Sequence, residues 1–303
     1  MSDTAASLRL RLYSTHELQS VVRTMKSLAA SSIGQYEASV RALDDYYRNL
    51  ELGLGACLRH RGPVVDGADA GEARADPGEV GAVVFGSDQG LVGQFNDIVA
   101  DYAAKALGAA HGKARIWAVG ERVRARLVDH GLSPTRVYDV PGSVEAITPL
   151  ANQILVETET RHGRAHVTEL RLFYNRSSSG ASFAPVGERL LPLDDDWRDA
   201  RIAIPWPTKA LPEIIGGGTE TLRALVQGYV FVSLFRASAE SLASENASRL
   251  AAMERAEKNI KESLENLEGD FHRVRQGSID EELFDVVAGF EALQTSRASP
   301  SGR

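Results

Sequence analysis

The residues of this chain best suited to chemistry lie in one glycine-rich stretch, Gly86-Ser87-Asp88-Gln89-Gly90-Leu91-Val92-Gly93-Gln94-Phe95-Asn96. A short apolar run, Val80–Phe85, precedes it and a helical pattern follows, so the stretch turns a buried strand into a helix. Backbone amides at such a helix start can hold a phosphate. No Gly-Lys-Ser/Thr follows, however, and glycines at 86, 90 and 93 miss the spacing of a dinucleotide fingerprint. A tight structural turn built on Gly86, Asp88, Gly90, Gly93 and Asn96 is the favoured reading, with a phosphate or nucleotide site as its alternative.

Other reactive types are scattered. His162 and His166 are four apart, a metal-ligand spacing on a helix, but Gly163 between them breaks the helix that would align them. Asp194-Asp195-Asp196 could attract a cation, yet no neighbouring constellation accompanies it and a solvated loop is the simpler account. Cys57 is the only cysteine, which rules out an internal disulfide and a dithiol switch and reads as a small apolar residue. Local signals assemble no set of nucleophile, base and orienting group, so no catalytic residue, metal or cofactor is expected.

A formal net charge of -7 argues against a general nucleic-acid binder, which would carry a basic excess. Charged residues from Asp3 to Lys26 interrupt any signal-peptide core, and no run reaches the ~20 apolar residues of a membrane span. An intracellular, soluble protein is expected, one that can still sit on something membrane-bound.

The elements that must position these residues fall into three parts. From about Thr4 to Leu58 there is no proline, and Leu18, Val22, Met25, Ala29, Ile33, Tyr36, Val40, Leu43, Tyr47, Leu50 and Leu54 recur in steps of three and four. This predicts one long helix, although Ser14-Thr15-His16-Glu17 offers a capping box inside it. Residues 59–79, rich in Gly, Ala, Asp and Pro, read as an exposed loop. From 80 to 193 strands (80–85, 114–119, 136–140, 167–174, 183–191) alternate with helices (94–107, 121–129, 143–161), which is the pattern of a small α/β domain with a largely parallel sheet. Pro205, Pro207 and Pro212 mark residues 194–218 as a connection, and Gly216–Gly218 lead to Thr219, which can cap the last helix.

That last helix, 219–293, carries a seam through Leu222, Leu225, Tyr229, Val232, Phe235, Ala239, Leu242, Leu250, Met253, Ala256, Ile260, Leu264, Leu267, Phe271 and Val274, and later through Leu283, Val286, Phe290 and Leu293. A continuous helix there would be roughly 110 Å long. The expected architecture is therefore α/β, a long antiparallel coiled coil of N-terminal (1–58) and C-terminal (219–293) helices with an inserted small Rossmann-like α/β domain (80–193) and a disordered tail (294–303). The second helix outruns the first by about twenty residues, so roughly 30 Å of apolar seam needs a partner protein. Glu254 with Lys258 and Glu257 with Lys261 are expected as i, i+4 pairs on its exposed face.

Three places then resemble the gamma subunit, the central rotor shaft, of F-type ATP synthases. Val21-Val22-Arg23-Thr24-Met25-Lys26-Ser27-Leu28-Ala29-Ala30-Ser31 is similar to that family's N-terminal helix signature. The turn from Gly86 to Asn96 resembles its Gly-Ser/Thr-Asp-Arg-Gly-Leu-Cys-Gly…Asn turn, with Gln89 in place of Arg and Val92 in place of Cys. Ala243-Ser244-Glu245-Asn246-Ala247-Ser248-Arg249-Leu250-Ala251-Ala252-Met253, then Arg275-Gln276-Gly277-Ser278-Ile279 and Glu282-Leu283, resemble its C-terminal pattern. Departures are Leu250 for methionine, Asp280 for threonine, and an extension from Gln294 to Arg303. Ser31-Ser32-Ile33 and the tail resemble the divergent second, sodium-type ATPase of some bacteria.

The resemblance implies a subunit that makes and breaks no covalent bonds and couples rotation of a membrane c ring to ATP synthesis or hydrolysis at an alpha–beta hexamer. It implies that Met25, Lys26, Arg275, Gln276, Ile279, Glu282 and Leu283 face alpha and beta subunits. Ile204, Trp206 and Lys209 would lie at the foot, against an epsilon subunit and the c ring. Membrane contact would run only through that ring, on the cytoplasmic face of a bacterial inner membrane, with no cofactor and no nucleic acid. The competing reading is an α/β nucleotide- or phosphate-binding enzyme on a coiled-coil dimerisation stalk.

Overall fold

The computed structural model describes residues 4–61, 79–108, 114–159, 167–178, 183–210, 212–214 and 217–297. Most of the predicted 59–79 loop, the tail past Arg297, and His111, His162, His166, Leu211 and Gly216 lie outside the described residues. The elements in order are α1 (Ala5–Arg61), β1 (Glu79–Phe85), α2 (Phe95–Gly108), β2 (Ala114–Val119), α3 (Glu121–Asp129), β3 (Arg136–Tyr138), α4 (Ile147–Glu159), β4 (Val167–Ser177), β5 (Phe183–Leu191), α5 (Asp195–Ile202) and α6 (Gly218–Arg297). The chain divides into two compact units, Met1–Ser27 with Met253–Arg303, and Leu28–Ala252.

α1 is a single helix because its first turn is closed upstream of the Ser14 box. Thr4 Oγ1 accepts from the Ser7 amide at 3.3 Å, whereas Ser14 and Thr15 hydroxyls donate back to the Leu10 and Arg11 carbonyls inside the helix. From Thr4 to Leu50 its buried residues, Leu8, Val22, Ala29, Tyr36 and Leu50, are separated by seven or fourteen, multiples of the coiled-coil interval. Leu18, placed on that seam by steps of three and four, is instead 52% exposed, because the heptad steps over it.

In the unit Leu28–Ala252 five strands form one sheet in the order β3-β2-β1-β4-β5. β1 pairs parallel with β2 and β4, and β2 with β3, while β5 returns antiparallel to β4. The strands are apolar on both faces because both are covered. On one side Val83, Phe85, Trp117, Leu170, Leu172 and Tyr174 pack with α4 and with Tyr229, Val230, Leu234 and Ala237 of α6. On the other, Ala82, Val84, Ile116 and Ala118 meet α2 and α3. Tyr36 of α1 shares a third cluster with Ile147 of α4 and with Phe235, Ala239, Leu242 and Ala243 of α6.

Several predicted elements are corrected. α4 starts at Ile147, not Ser143, because the Ser143 side chain bonds Glu145 and Ile147 N donates to Val144 O in a turn. α6 starts at Gly218, one residue before the proposed Thr219 cap, and continues past Leu293 to Arg297. The expected connection 194–218 contains a helix, α5. Asp194 caps it by accepting from the Trp197 amide at 2.8 Å, so this aspartate is a structural cap and an ion-pair partner of Arg189, not a cation ligand.

In the unit of Met1–Ser27 with Met253–Arg303, Leu8, Val22, Met253, Ile260, Leu264 and Leu267 are buried. Glu257 sits on the same seam, four residues after Met253 and seven before Leu264. It does not form the expected pair with Lys261. Its carboxylate accepts from Arg23 Nε at 2.9 Å and Lys26 Nζ at 3.0 Å, and the two cations, Arg23 first, hold its pKa below the usual carboxylate range.

Candidate functional site

The Gly86–Asn96 turn is knotted into the domain by its own polar groups. Gly86 N donates to Val119 O at 2.8 Å. Ser87 N donates to Asn96 Oδ1 at 2.9 Å, Asn96 Nδ2 donates to Ser87 Oγ at 2.8 Å, and Ser87 Oγ donates to Gln89 O. Asn96 is buried at the start of α2. Asp88 accepts from the first amide of α3, Glu121 N, at 2.9 Å and from Val140 N beyond β3 at 2.8 Å. The amides of Gly86, Ser87 and Glu121 are thus engaged within the protein. Asp88 and Asp97 add negative charge at the helix starts, which disfavours an anion.

Close approach explains two glycines here. A Cβ on Gly86 would lie 2.3 Å from Val123 Cβ and 2.6 Å from Asn96 Oδ1. Gly120, at φ 114°, would place one 2.7 Å from Ser87 O. Gly90 has only the end of the Arg122 side chain near it, at 3.9 Å. Gly93 is needed for its φ of 58°.

The helical candidates separate into two groups. Arg275 lines a groove of about 640 Å³ with Ala5, Ala6, Arg9, Leu10, Tyr13 and Phe271. Gln276, Ile279, Glu282 and Leu283 are exposed, and steps of three and four put them on one helix face. From Arg275 to Phe290 every side chain of α6 is exposed, including the large apolar Ile279, Leu283, Phe284, Val286, Val287 and Phe290. Met25 and Lys26 are half-buried, and the Lys26 ammonium is engaged with Glu257.

The foot candidates follow α5. Ile204 offers its carbonyl to Arg59 Nη1 at 3.0 Å, Trp206 Nε1 donates to Thr208 Oγ1 at 3.1 Å, and Lys209 is exposed. α5 is tied to α1 through Arg201, which pairs with Glu51 at 3.1 Å, and to α6 through Trp197 Nε1, which donates to Tyr229 OH at 3.2 Å. Gly55 permits this contact, since a Cβ there would stand 2.4 Å from Arg201 O. Sequence reasoning missed α5 although Asp194 before an acidic first turn and a basic last turn is a helix signal.

Sequence reasoning placed Glu245, Ser248 and Arg249 within the C-terminal pattern but gave them no structural role. Glu245 is 4% exposed and accepts from Arg249 at 2.6 Å; burial raises its pKa, against the pull of Arg249. Glu240 and Ser248 reach the α/β domain. Among the described residues no cluster of His, Cys, Asp or Glu could hold a metal ion, and no helix is long and apolar enough to cross a membrane.

A family model described as ATP synthase matches residues 4–293. The chain is 29% identical over 291 residues to the ATP synthase gamma chain of Moorella thermoacetica, covering 95% of this chain and 98% of that one. It is 28% identical to the ATP synthase gamma chain of Sorangium cellulosum, at the same coverage of 95% and 98%. Among solved structures, a chain in the OSCP/F1/c-ring of Euglena gracilis mitochondrial ATP synthase superposes with a TM-score of 0.66 at 17% identity, covering 99% of this chain and 97% of that one.

Proposed function

The chain belongs to the ATP synthase gamma-chain family, and on that premise we propose that it is the central rotor shaft of a membrane-associated ATP synthase. It couples rotation of a c ring to ATP synthesis or hydrolysis at an alpha–beta hexamer and has no catalytic residues of its own. The observation that carries this reading is the exposed apolar end of α6 from Ile279 to Phe290. A helix surface of that kind calls for a sleeve supplied by other chains, and alpha and beta subunits provide one.

In this reading the helices 1–58 and 219–293 are the shaft and 80–193 the α/β domain. Arg275 and Gln276 grip a catalytic subunit through charge-assisted hydrogen bonds, with Ile279, Glu282 and Leu283 beside them. Met25 borders the same partner, while Lys26 acts within the shaft by fixing the register of Glu257. Ile204, Trp206 and Lys209 face the epsilon subunit and the c ring, on the cytoplasmic side of a bacterial membrane. Each orientation of an asymmetric shaft stabilises a different conformation of a catalytic site, which is what coupling between ring and hexamer requires.

The test is assembly and coupling. The tagged chain should recover alpha and beta subunits and a c ring from membranes, and the purified chain alone should bind no ATP. Arg275→Ala should lower ATP-driven ion pumping by about tenfold, the loss of one charge-assisted contact, while the isolated variant keeps its unfolding midpoint. Unchanged pumping would remove Arg275 from the grip, and ATP binding by the chain alone would favour the nucleotide-site alternative.

A further inference from the structure

α6 meets the α/β sheet chiefly through apolar residues, Tyr229, Val230, Leu234 and Ala237 against Leu170, Leu172 and Tyr174. Apolar contact is non-directional, so it opposes separation more than it opposes turning or sliding. Two polar contacts between the same partners are directional. The Glu240 carboxylate, 11% exposed, accepts from Arg176 Nε at the end of β4 at 2.6 Å and from Arg236 Nε one helical turn earlier at 2.9 Å. Arg176 is itself oriented, since its Nη2 donates to Tyr174 OH at 2.5 Å. Eight residues further on, buried Ser248 donates its hydroxyl to the Val92 carbonyl at 2.5 Å.

That second contact gives the glycine-rich turn a task. Leu91 holds φ at 63° and Gly93 at 58°. A left-handed backbone is unfavourable for a large side chain, and Leu91 gains no burial from it, being 60% exposed. What the conformation achieves lies between them: Val92 is 2% exposed and its carbonyl meets α6. Eight residues correspond to about 12 Å along a helix and about 80° around it. The contacts at Glu240 and Ser248 therefore do not share a line parallel to the axis, and together they fix both the rotation and the axial register of α6 on the domain.

We propose that Glu240 and Ser248, seated on Arg176 and on the Val92 carbonyl, are two positioning pins that carry torque between the α/β domain and α6. The proposal rests on the rotor-shaft reading. Without the pins the domain stays folded and attached, but slips under load.

The chain, as wild type and as Glu240→Gln/Ser248→Ala, is assembled with alpha, beta and epsilon subunits and a c ring in sealed vesicles. ATP hydrolysis is read with the ion gradient collapsed by an ionophore, and the gradient built by ATP is read without it. The double variant should hydrolyse ATP within about twofold of wild type and build a gradient about threefold smaller, with each single variant between. Ser248→Thr, which keeps the hydroxyl, should match wild type. A double variant that builds the wild-type gradient overturns the pins, as does one whose hydrolysis and gradient fall in equal proportion, the signature of general structural loss. A wild-type chain that fails to assemble overturns the shaft reading and the pins together, so the two failures differ.

Discussion

Replacing Asp88 by alanine removes one side chain that closes the turn from two sides. Its carboxylate accepts from Glu121 N at 2.9 Å and Val140 N at 2.8 Å, joining the end of β1 to the start of α3 and to the segment after β3. Hydrogen bonds to a charged acceptor contribute about 1.5–3 kcal/mol each. Glu121 is exposed and Asp88 half-buried, so water can reach the freed amides and the lower figure applies, about 3 kcal/mol for the pair. With a urea slope of about 2–3 kcal/mol per M, the unfolding midpoint should fall by about 1–1.5 M with the slope unchanged. Asp88→Asn keeps one acceptor and should lose about half as much. Amide exchange supplies the local check: Glu121 and Val140 should lose protection while Ala82 and Ala118 keep theirs. A midpoint that moves by less than about 0.3 M would show that the turn holds without Asp88, and an asparagine variant as damaged as the alanine one would refute the equal division between the two bonds.

Gly120→Ala should destabilise the chain by about 3 kcal/mol or more, since it combines a φ of 114° with a Cβ 2.7 Å from Ser87 O. Gly90→Ala, with open space around it, should stay within about 1 kcal/mol of wild type in the same denaturation series; equal effects at the two glycines would refute the steric account. Burial first, then Tyr229 and Glu51, push the Tyr47 hydroxyl up to about 12, against the opposing pull of Arg201. Because the folded value lies above the ordinary 10.0, the neutral phenol's stability is fully present below about pH 10 and is lost as pH rises toward about 12. Tyr47→Phe should flatten that alkaline loss in unfolding midpoints measured across the window, and an unchanged pH slope would count against it.

Much of this was legible in the sequence because the signals are local or periodic. Absence of proline and recurrence of apolar residues mark α1 and α6, and the apolar runs at 80–85 and 114–119 mark β1 and β2 within one residue. The failures have a common cause. Steps of three and four describe two adjacent helix stripes, and only the packing of a partner selects the heptad that buries Val22 and leaves Leu18 out. The i, i+4 rule is confined to one helix, so it paired Glu257 with Lys261 while a cross-helix geometry gives it to Arg23 and Lys26. Prolines at 205, 207 and 212 give 194–218 the composition of a connection, while the cap that starts α5, Asp194, lies eleven residues upstream of the first of them. Contacts such as Ser248 with Val92, 156 residues apart, leave no trace in spacing at all.

The burial along α6 turns these details into a mechanism. Between Tyr229 and Glu245 almost every side chain is buried or half-buried, and even serines such as Ser238, Ser241 and Ser244 are enclosed. From Met253 to Val274 burial narrows to a seam, with Met253, Ile260 and Leu267 seven apart. After Arg275 it vanishes, although Ile279, Leu283, Phe284, Val286, Val287 and Phe290 are as apolar as anything earlier. Large apolar residues therefore recur along the whole helix while their covering changes from the protein's own domain, to one helix, to nothing among the described residues. A helix held firmly at one end gains nothing for its own stability by exposing apolar surface at the other. The exposure makes sense when that surface is turned against other chains, and then the firm end matters, because torque reaches the exposed face only as far as Glu240 and Ser248 prevent the helix from turning in its seat.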